Sequence, residues 1–286
     1  MRAQMGTLFT LKINILSVNV TFENCVDDQD HWEELLSLHV LGLNRLNEES
    51  STMLKGDIPN KNLDESTLEC TFGDLHPQLD VPAGVWNPTP NGILLGETIE
   101  QLDFSGERIL ELGTGCGVHA VVLGLRGASE LVLTEVDDSI LGHAQRNLDK
   151  YGITCPVKFV VADWIQINEG QFDTLVANPP FALSNKAYRR YFIDTLILEA
   201  HKLLKPGGRL IFIHSTMADV PRTISLLEQC DMTVRILADK DFPFRDYYFE
   251  DEAYLKEMAA VPGSYSVRDG VRYERLVAFE CRLPKS

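Results

Sequence analysis

The residues of this chain best suited to chemistry lie in two short stretches, Glu111-Leu-Gly-Thr-Gly-Cys-Gly117 and Asn178-Pro-Pro-Phe181. In the first, Gly113, Gly115 and Gly117 alternate directly after apolar Ile109, Leu110 and Leu112. Glycines there let the main chain approach a ligand closely, and a helix begun at about Val118 aims its N-terminal amides at the same spot. A nucleotide-like ligand suits such a loop. A dinucleotide fingerprint wants Gly-x-Gly-x-x-Gly, whereas here the third glycine comes one residue early. In the second stretch, the Asn178 side-chain oxygen and the Pro179 carbonyl can accept the two hydrogens of an amide or exocyclic aromatic amine. Holding both draws the nitrogen towards tetrahedral geometry, and rigidly aimed carbonyl dipoles favour positive charge growing on it. Orientation and electrostatics, not proton abstraction, are the role expected of Asn178. Phe181 offers a ring that can stack on a planar substrate.

These groups need elements to position them. Arg108 to Leu112 reads as a buried parallel strand turning sharply into a helix. The next strand, Glu130 to Thr134, ends at Glu135, where a carboxylate can accept both hydroxyls of a ribose. A third strand, Val157 to Ala162, leads into Asp163-Trp164, and a fourth, Phe172 to Ala177, releases Asn178 from its carboxyl end. That placement distinguishes the double proline from an ordinary chain terminator. Tyr191 to Leu204 reads as a helix stopped by Lys205-Pro-Gly-Gly208. Arg209 to His214 is the fifth strand, and Thr233 to Ala238 and an antiparallel Arg275 to Arg282 close the sheet.

Val132 to Asn147 has an acid ending the strand and Ala144-x-x-Asn147 closing the helix. With the Gly-x-Gly-x-Gly loop and Asn-Pro-Pro-Phe, it resembles the class I S-adenosylmethionine-dependent methyltransferases, over about Gly84 to Thr216. The resemblance implies an α/β fold: a Rossmann-like, seven-stranded, doubly wound sheet with a smaller N-terminal α+β extension. Residues 1–83 would select the substrate, and residues 84–286 would bind cofactor and catalyse. The implied cofactor is S-adenosylmethionine, leaving as S-adenosylhomocysteine, held by Glu111, Gly113, Thr114, Gly115, Gly117, Glu135, Val136, Asp163, Trp164 and Asn178. Glu135 would hold the ribose, Asp163 the adenine amino group, Val136 and Trp164 would flank the adenine, and Glu111 would lie near the methionine amino group. Asn178, Pro179 and Phe181 would carry catalysis, with no strong general acid because the thioether leaves neutral. The Asn-Pro-Pro-Phe branch is similar to glutamine-amide methyltransferases and to exocyclic-amine methyltransferases of RNA and DNA. Two departures leave the substrate open: glutamine-modifying members typically carry Tyr where Phe181 stands, and rRNA guanine enzymes often continue His-x-Gly where this chain has Ala182-Leu-Ser-Asn185.

On the substrate side, Thr89 and Asn91 precede a helix at Ile93, Tyr188 follows the catalytic motif, His214 ends the fifth strand, and Tyr247 and Tyr248 lie in an aromatic loop. Asp239 to Asp241 and Glu250 to Glu252 are expected to make that rim acidic, which suits a cationic amine. Forty-two acidic against 26 basic residues give a net charge of -16 and a pI of about 4.8, a surface that repels phosphate backbones. Lys186, Arg189 and Arg190 read as a solvated helix face. A small-molecule or protein substrate therefore outranks nucleic acid. The leading expectation is methylation of an amino or amide nitrogen of a small metabolite. The alternatives are a protein glutamine or RNA base as acceptor, a reaction on the cofactor's aminobutyrate carbon releasing methylthioadenosine, or an inactive partner subunit.

Six scattered cysteines without Cys-x-x-Cys spacing argue against zinc, so no metal is expected, and for reduced thiols in the cytoplasm. Leu8 to Phe22 alternates as a strand rather than a signal peptide. Asp30 to Leu46 has helical spacing, Glu48 to Asn62 reads as a loop, and no segment is long enough to cross a bilayer. Oligomeric state is not legible.

Overall fold

The computed structural model describes residues 12–15, 18–21, 66–83, 85, 89–181 and 190–285. The expected helix at 30–46, the loop at 48–62, Trp86, Lys186, Tyr188 and Arg189 lie outside them. The chain divides into compact units 1–52 and 53–286. In the first, β1 (Lys12–Ile15) and β2 (Val18–Thr21) form an antiparallel hairpin, Ile13 opposite Val20, where the sequence suggested a single strand.

The second unit is built on one sheet. Its strands are β5 (Arg108–Leu112), β6 (Glu130–Glu135), β7 (Val157–Val161), β8 (Phe172–Ala177), β9 (Leu204–Ser215), β10 (Thr233–Pro243) and β12 (Val271–Arg282), in the spatial order β10-β12-β9-β8-β5-β6-β7, with β11 (Ser266–Arg268) paired to β12. The first five are parallel neighbours, and β12 runs antiparallel to both β9 and β10. From β5 the chain winds outwards through β6 and β7, then returns to the other side of β5 as β8. The winding direction therefore switches between β5 and β8, the place where open α/β sheets leave a crevice at their carboxyl ends.

Apolar stretches explain the layers. Five-residue Arg108–Leu112 has four buried positions, as a strand covered on both faces requires. One apolar cluster gathers Leu95, Ile99, Val121 and Leu131 from α1 (Pro90–Glu100), α2 (Val118–Leu125) and the sheet. The other gathers Phe172, Leu196, Phe212 and Phe279 from α4 (Tyr191–Leu203) and the opposite face. Helix α3 (Asp138–Lys150) buries only Leu141, Ala144, Asn147 and Leu148, and Asp137 caps it by accepting from the Ser139 amide, so its remaining surface faces water.

The hairpin β3 (Ser66–Glu69) and β4 (Gln78–Val81) belongs to the same unit. Asn147 is fully buried and docks it: Asn147 Oδ1 accepts from the Asp80 amide at 2.9 Å, while Nδ2 donates to the Asp80 carbonyl at 2.9 Å and to the Cys116 carbonyl of the glycine loop at 2.8 Å. The Ala144-x-x-Asn147 pattern is thus a three-way clamp between hairpin, helix and loop.

Two surface expectations change. Arg190 does not lie on a solvated face: it is buried, and its guanidinium donates to Asp194 at 2.7 Å, Thr223 at 3.0 Å and the Asp219 carbonyl at 3.1 Å, fastening α4 to α5 (Val220–Gln229). Asp239 and Asp241 do not rim a loop either, because β10 runs through them to Pro243, and Arg275 and Arg268 pair with them at 2.7 to 3.2 Å. Asp251 is occupied in capping α6 (Glu252–Ala259) through the Tyr254 amide, while Glu250 and Glu252 stay exposed, so only part of the expected acidic rim remains.

Candidate active site

Register aligns the predicted site. Leu112 pairs with Ala177, and Glu135 pairs with Val161. Because Glu111 pairs with Leu133, Gly113 leaves β5 level with both Glu135 and Asn178. Strands lie about 4.8 Å apart, so Asn178, Gly113, Glu135 and, two residues beyond β7, Asp163 form a row across four neighbouring carboxyl ends.

The glycine loop is shaped by left-handed residues, with φ of 67° at Gly113, 55° at Gly115 and 83° at Gly117. A Cβ on Gly113 would meet nothing within 4 Å, and one on Gly115 only Val85 at 3.9 Å, so both face open space. Gly117 is different, since a Cβ there would sit 3.1 Å from Ala144 Cβ, and its task is close packing of the loop on α3. Open space over Gly113 and Gly115, beside a carboxylate that can take a ribose diol, fits S-adenosylmethionine in the crevice.

Glu135 is half-buried, its Oε1 accepting from the Val136 amide at 2.9 Å and its Oε2 from the Gly115 amide at 3.1 Å. Burial raises its pKa above the ordinary 4.5, against the opposing pull of those two amides. Each oxygen keeps a second lone pair for a ligand hydroxyl. Val136 follows at the same edge, half-buried. Asp163 is half-buried too. Trp164 adopts φ of 49°, a region bulky residues seldom enter. Its indole N–H donates to Thr195 at 3.0 Å and its ring meets Phe192 edge-on at 5.1 Å, so much of the ring is committed to α4.

Glu111 is enclosed rather than open to a ligand: it is 2 % exposed, Oε2 accepts from the Thr114 hydroxyl at 2.7 Å, and Oε1 lies 3.2 Å from His119 Nδ1. Glu111 and Thr114 therefore hold the loop's shape through each other. Cys116 is buried within the loop, its thiol pushed up to about 12 by burial, and acts as a small neutral filler. Asn178 is half-buried. Phe181 is buried in the apolar cluster beneath α4, so its ring packs in the core and is not open to stack on a substrate as the sequence suggested.

On the substrate side the residues divide. Thr89 starts α1, its carbonyl accepting from the Ile93 amide at 2.9 Å, with Pro90 in the first turn where its missing N–H costs nothing. Asn91 is buried and accepts from Arg245. Tyr247 and Tyr248 do not present an open wall: both are buried, Tyr247 accepting from Arg245 at 2.8 Å and Tyr248 donating to Glu274 at 3.1 Å. Burial raises the Tyr248 and Glu274 pKa values. His214 does not face the crevice. It is fully buried, stacked on Phe279 at 5.1 Å with Nδ1 donating to the Ser215 carbonyl at 2.8 Å, and burial lowers its pKa to about 3.

His119 and Arg245 escaped the sequence reading, because their partners are distant in the chain. One signal was available for His119: it is the sole polar side chain among the six buried residues Val118 to Leu123, and a buried polar group demands partners.

Comparison with known proteins follows this geometry. The methyltransferase small domain family model matches residues 92–242. The chain is 27% identical over 274 residues to a release factor glutamine methyltransferase of Chlorobaculum tepidum, covering 79% of this chain and 92% of that one. It is 25% identical over 187 residues to a putative protein N5-glutamine methyltransferase of Methanocaldococcus jannaschii, covering 60% and 90%. It is 31% identical over 145 residues to the ribosomal RNA small subunit methyltransferase C of Chromohalobacter salexigens, covering 51% and 41%. Among solved structures, the 16S rRNA N2 G1207 methyltransferase of T. thermophilus, in complex with AdoMet and guanosine, shares the fold with a TM-score of 0.52 at 16% identity, over 80% of this chain and 52% of that one. Relatives named for RNA substrates mean that an acidic composition does not by itself set nucleic acid aside. Among the described residues, no helix is long and apolar enough to cross a membrane. A switch-point crevice, an open glycine loop facing Glu135, and a family match over more than half its length make this chain a member of the methyltransferase small domain family, a class I S-adenosylmethionine-dependent N-methyltransferase.

Proposed function

We propose that the enzyme methylates the side-chain amide nitrogen of a protein glutamine. The observation carrying this reading is the 274-residue match spanning 92% of a release factor glutamine methyltransferase, a length that extends beyond the shared cofactor-binding region. The relatives named above are methyltransferases of protein glutamine and ribosomal RNA, which favours a macromolecular acceptor over a small metabolite.

Bound S-adenosylmethionine supplies an electrophilic sulfonium methyl. The chain's own work is to orient the acceptor beside it. Asn178 leaves β8 level with Gly113, which would bring its side-chain oxygen and the Pro179 carbonyl to the cofactor crevice. Accepting both amide hydrogens removes the nitrogen lone pair from conjugation and aims it. The same carbonyl dipoles stabilise charge developing on the nitrogen, and the extra proton departs after transfer. Phe181, where glutamine-modifying enzymes typically carry tyrosine, packs into the apolar cluster beneath α4 and anchors the exit of the Asn-Pro-Pro turn.

A second reading, an exocyclic amine of an RNA base, is favoured by the 31% identity over 145 residues to a ribosomal RNA methyltransferase. Labelled S-adenosylmethionine incubated with cell extract and the enzyme separates these. Label in protein, located on glutamine by tandem mass spectrometry, supports the proposal. Label in RNA overturns it for the second reading, and label among small molecules restores the metabolite acceptor. Methylthioadenosine released in place of S-adenosylhomocysteine would exclude methyl transfer, and neither product would leave a partner subunit.

A further inference from the structure

His119 joins three parts of the cofactor crevice. Its Nε2 lies 2.9 Å from the Gly92 carbonyl in the first turn of α1, and its Nδ1 lies 3.2 Å from Glu111 Oε1 at the end of β5. Glu111 Oε2 accepts from Thr114 at 2.7 Å, and the Thr114 amide donates to the Thr134 carbonyl at 2.9 Å. His119 is 5 % exposed, Glu111 2 % and Thr114 3 %. The ring thus spans a main-chain carbonyl and a carboxylate, one at each nitrogen. Its two partners lie 27 and 8 residues away in separate elements. The first turn of α1 is also held by Arg245 on Asn91, 154 residues apart.

The ribose end of the ligand belongs at Glu135, on the β6 side of the glycine loop. The amino-acid half would then lie over the open space at Gly113, on the side of the loop towards the first turn of α1. We propose that His119 is a positioning residue that sets the gap between this turn and the glycine loop, and thereby governs affinity for the amino-acid half of S-adenosylmethionine. The proposal rests on the cofactor assignment and is independent of which acceptor is methylated. Without His119, the buried tie between the Gly92 carbonyl and Glu111 Oε1 is lost, and the turn drifts from the loop.

The test is calorimetric titration of wild type, His119→Leu and His119→Gln with S-adenosylhomocysteine and with 5′-methylthioadenosine, which keeps the adenosine and thioether but lacks the amino acid. His119→Leu is expected to weaken S-adenosylhomocysteine by about 10-fold or more while methylthioadenosine changes by less than about 3-fold. His119→Gln, which retains a donor for the Gly92 carbonyl, is expected to recover part of the loss. Equal weakening of both ligands would mean a merely structural histidine and overturn the proposal, as would no change in either. If His119→Leu does not fold, the same ratio is read from His119→Gln. Wild-type protein binding neither ligand overturns the cofactor assignment itself, a result distinguishable from failure of the His119 variants alone.

Discussion

Replacing Glu135 with Gln separates ligand binding from stability at one atom. In the free protein both carboxylate oxygens are occupied by main-chain amides, at 2.9 and 3.1 Å, and each has one lone pair left for a ribose hydroxyl. Hydrogen bonds to a charged acceptor contribute about 1.5–3 kcal/mol each. The amide retains one acceptor oxygen and presents its NH2 where the second hydroxyl needs another. One bond is then lost and the other weakened, a total of about 2–3 kcal/mol, or about 30- to 150-fold in Kd. Folding stability follows a different course. Burial raises the Glu135 pKa above 4.5, so the folded state holds this proton more tightly than the unfolded one. The group's contribution is then greatest below the unfolded pKa and is lost as pH rises through the folded value, which leaves a buried charge at neutral pH. The amide removes that charge but sets its NH2 against a main-chain N–H, which costs about 1 kcal/mol. The expected net change at neutral pH is within about 1 kcal/mol, and the variant compares worse with wild type as pH falls towards the ordinary carboxylate range. Titration with S-adenosylhomocysteine and urea unfolding at several pH values read the two quantities. Affinity within about 3-fold of wild type would refute the ribose role. Affinity lost together with more than about 3 kcal/mol of stability would show that Glu135 holds the loop rather than the ligand.

Asn178→Ala should lower turnover by about 10²-fold or more, the magnitude typical of losing one preorganised polar contact, with S-adenosylhomocysteine affinity nearly unchanged. Equal loss of both would remove the catalytic assignment. Gly117→Ala and Gly113→Ala should behave oppositely. The first places a Cβ 3.1 Å from Ala144 at φ of 83° and should cost about 2–4 kcal/mol of stability. The second also costs about 1–2 kcal/mol for its left-handed φ of 67°, but its Cβ points into open space, so its larger loss should be in cofactor affinity, measured by the same titration. His214, with a pKa of about 3 in the fold against an ordinary 6.5, stays neutral when folded and gains a proton on unfolding. Stability should therefore fall with decreasing pH between those values by on the order of 1.4 kcal/mol per pH unit from this group. His214→Phe, stacking on Phe212 and Phe279, should flatten that slope in acid unfolding; an unchanged slope would exclude His214 as its source.

The sequence determined what is local. Alternate glycines, an acid at a strand end and a proline pair after another strand each express a short-range demand: a left-handed turn, a close backbone approach, a rigid exit. A buried parallel strand announces itself by continuous apolar character, so β5, β6 and β8 and the row Asn178, Gly113, Glu135 were readable from residue types and spacing. Tertiary structure decided every side chain whose meaning lies in a distant partner. Glu111 resembled a ligand contact until Thr114 and His119 enclosed it, and Tyr247 and Tyr248 resembled a pocket wall until Arg245 and Glu274 took their hydroxyls. The acids Asp239 and Asp241 resembled a free rim until β10 extended to carry them beside Arg268 and Arg275. Ion pairs and buried hydrogen bonds form between groups that only the sheet's winding brings together, and nothing in the spacing along a chain encodes a contact such as Asn91 with Arg245, 154 residues away.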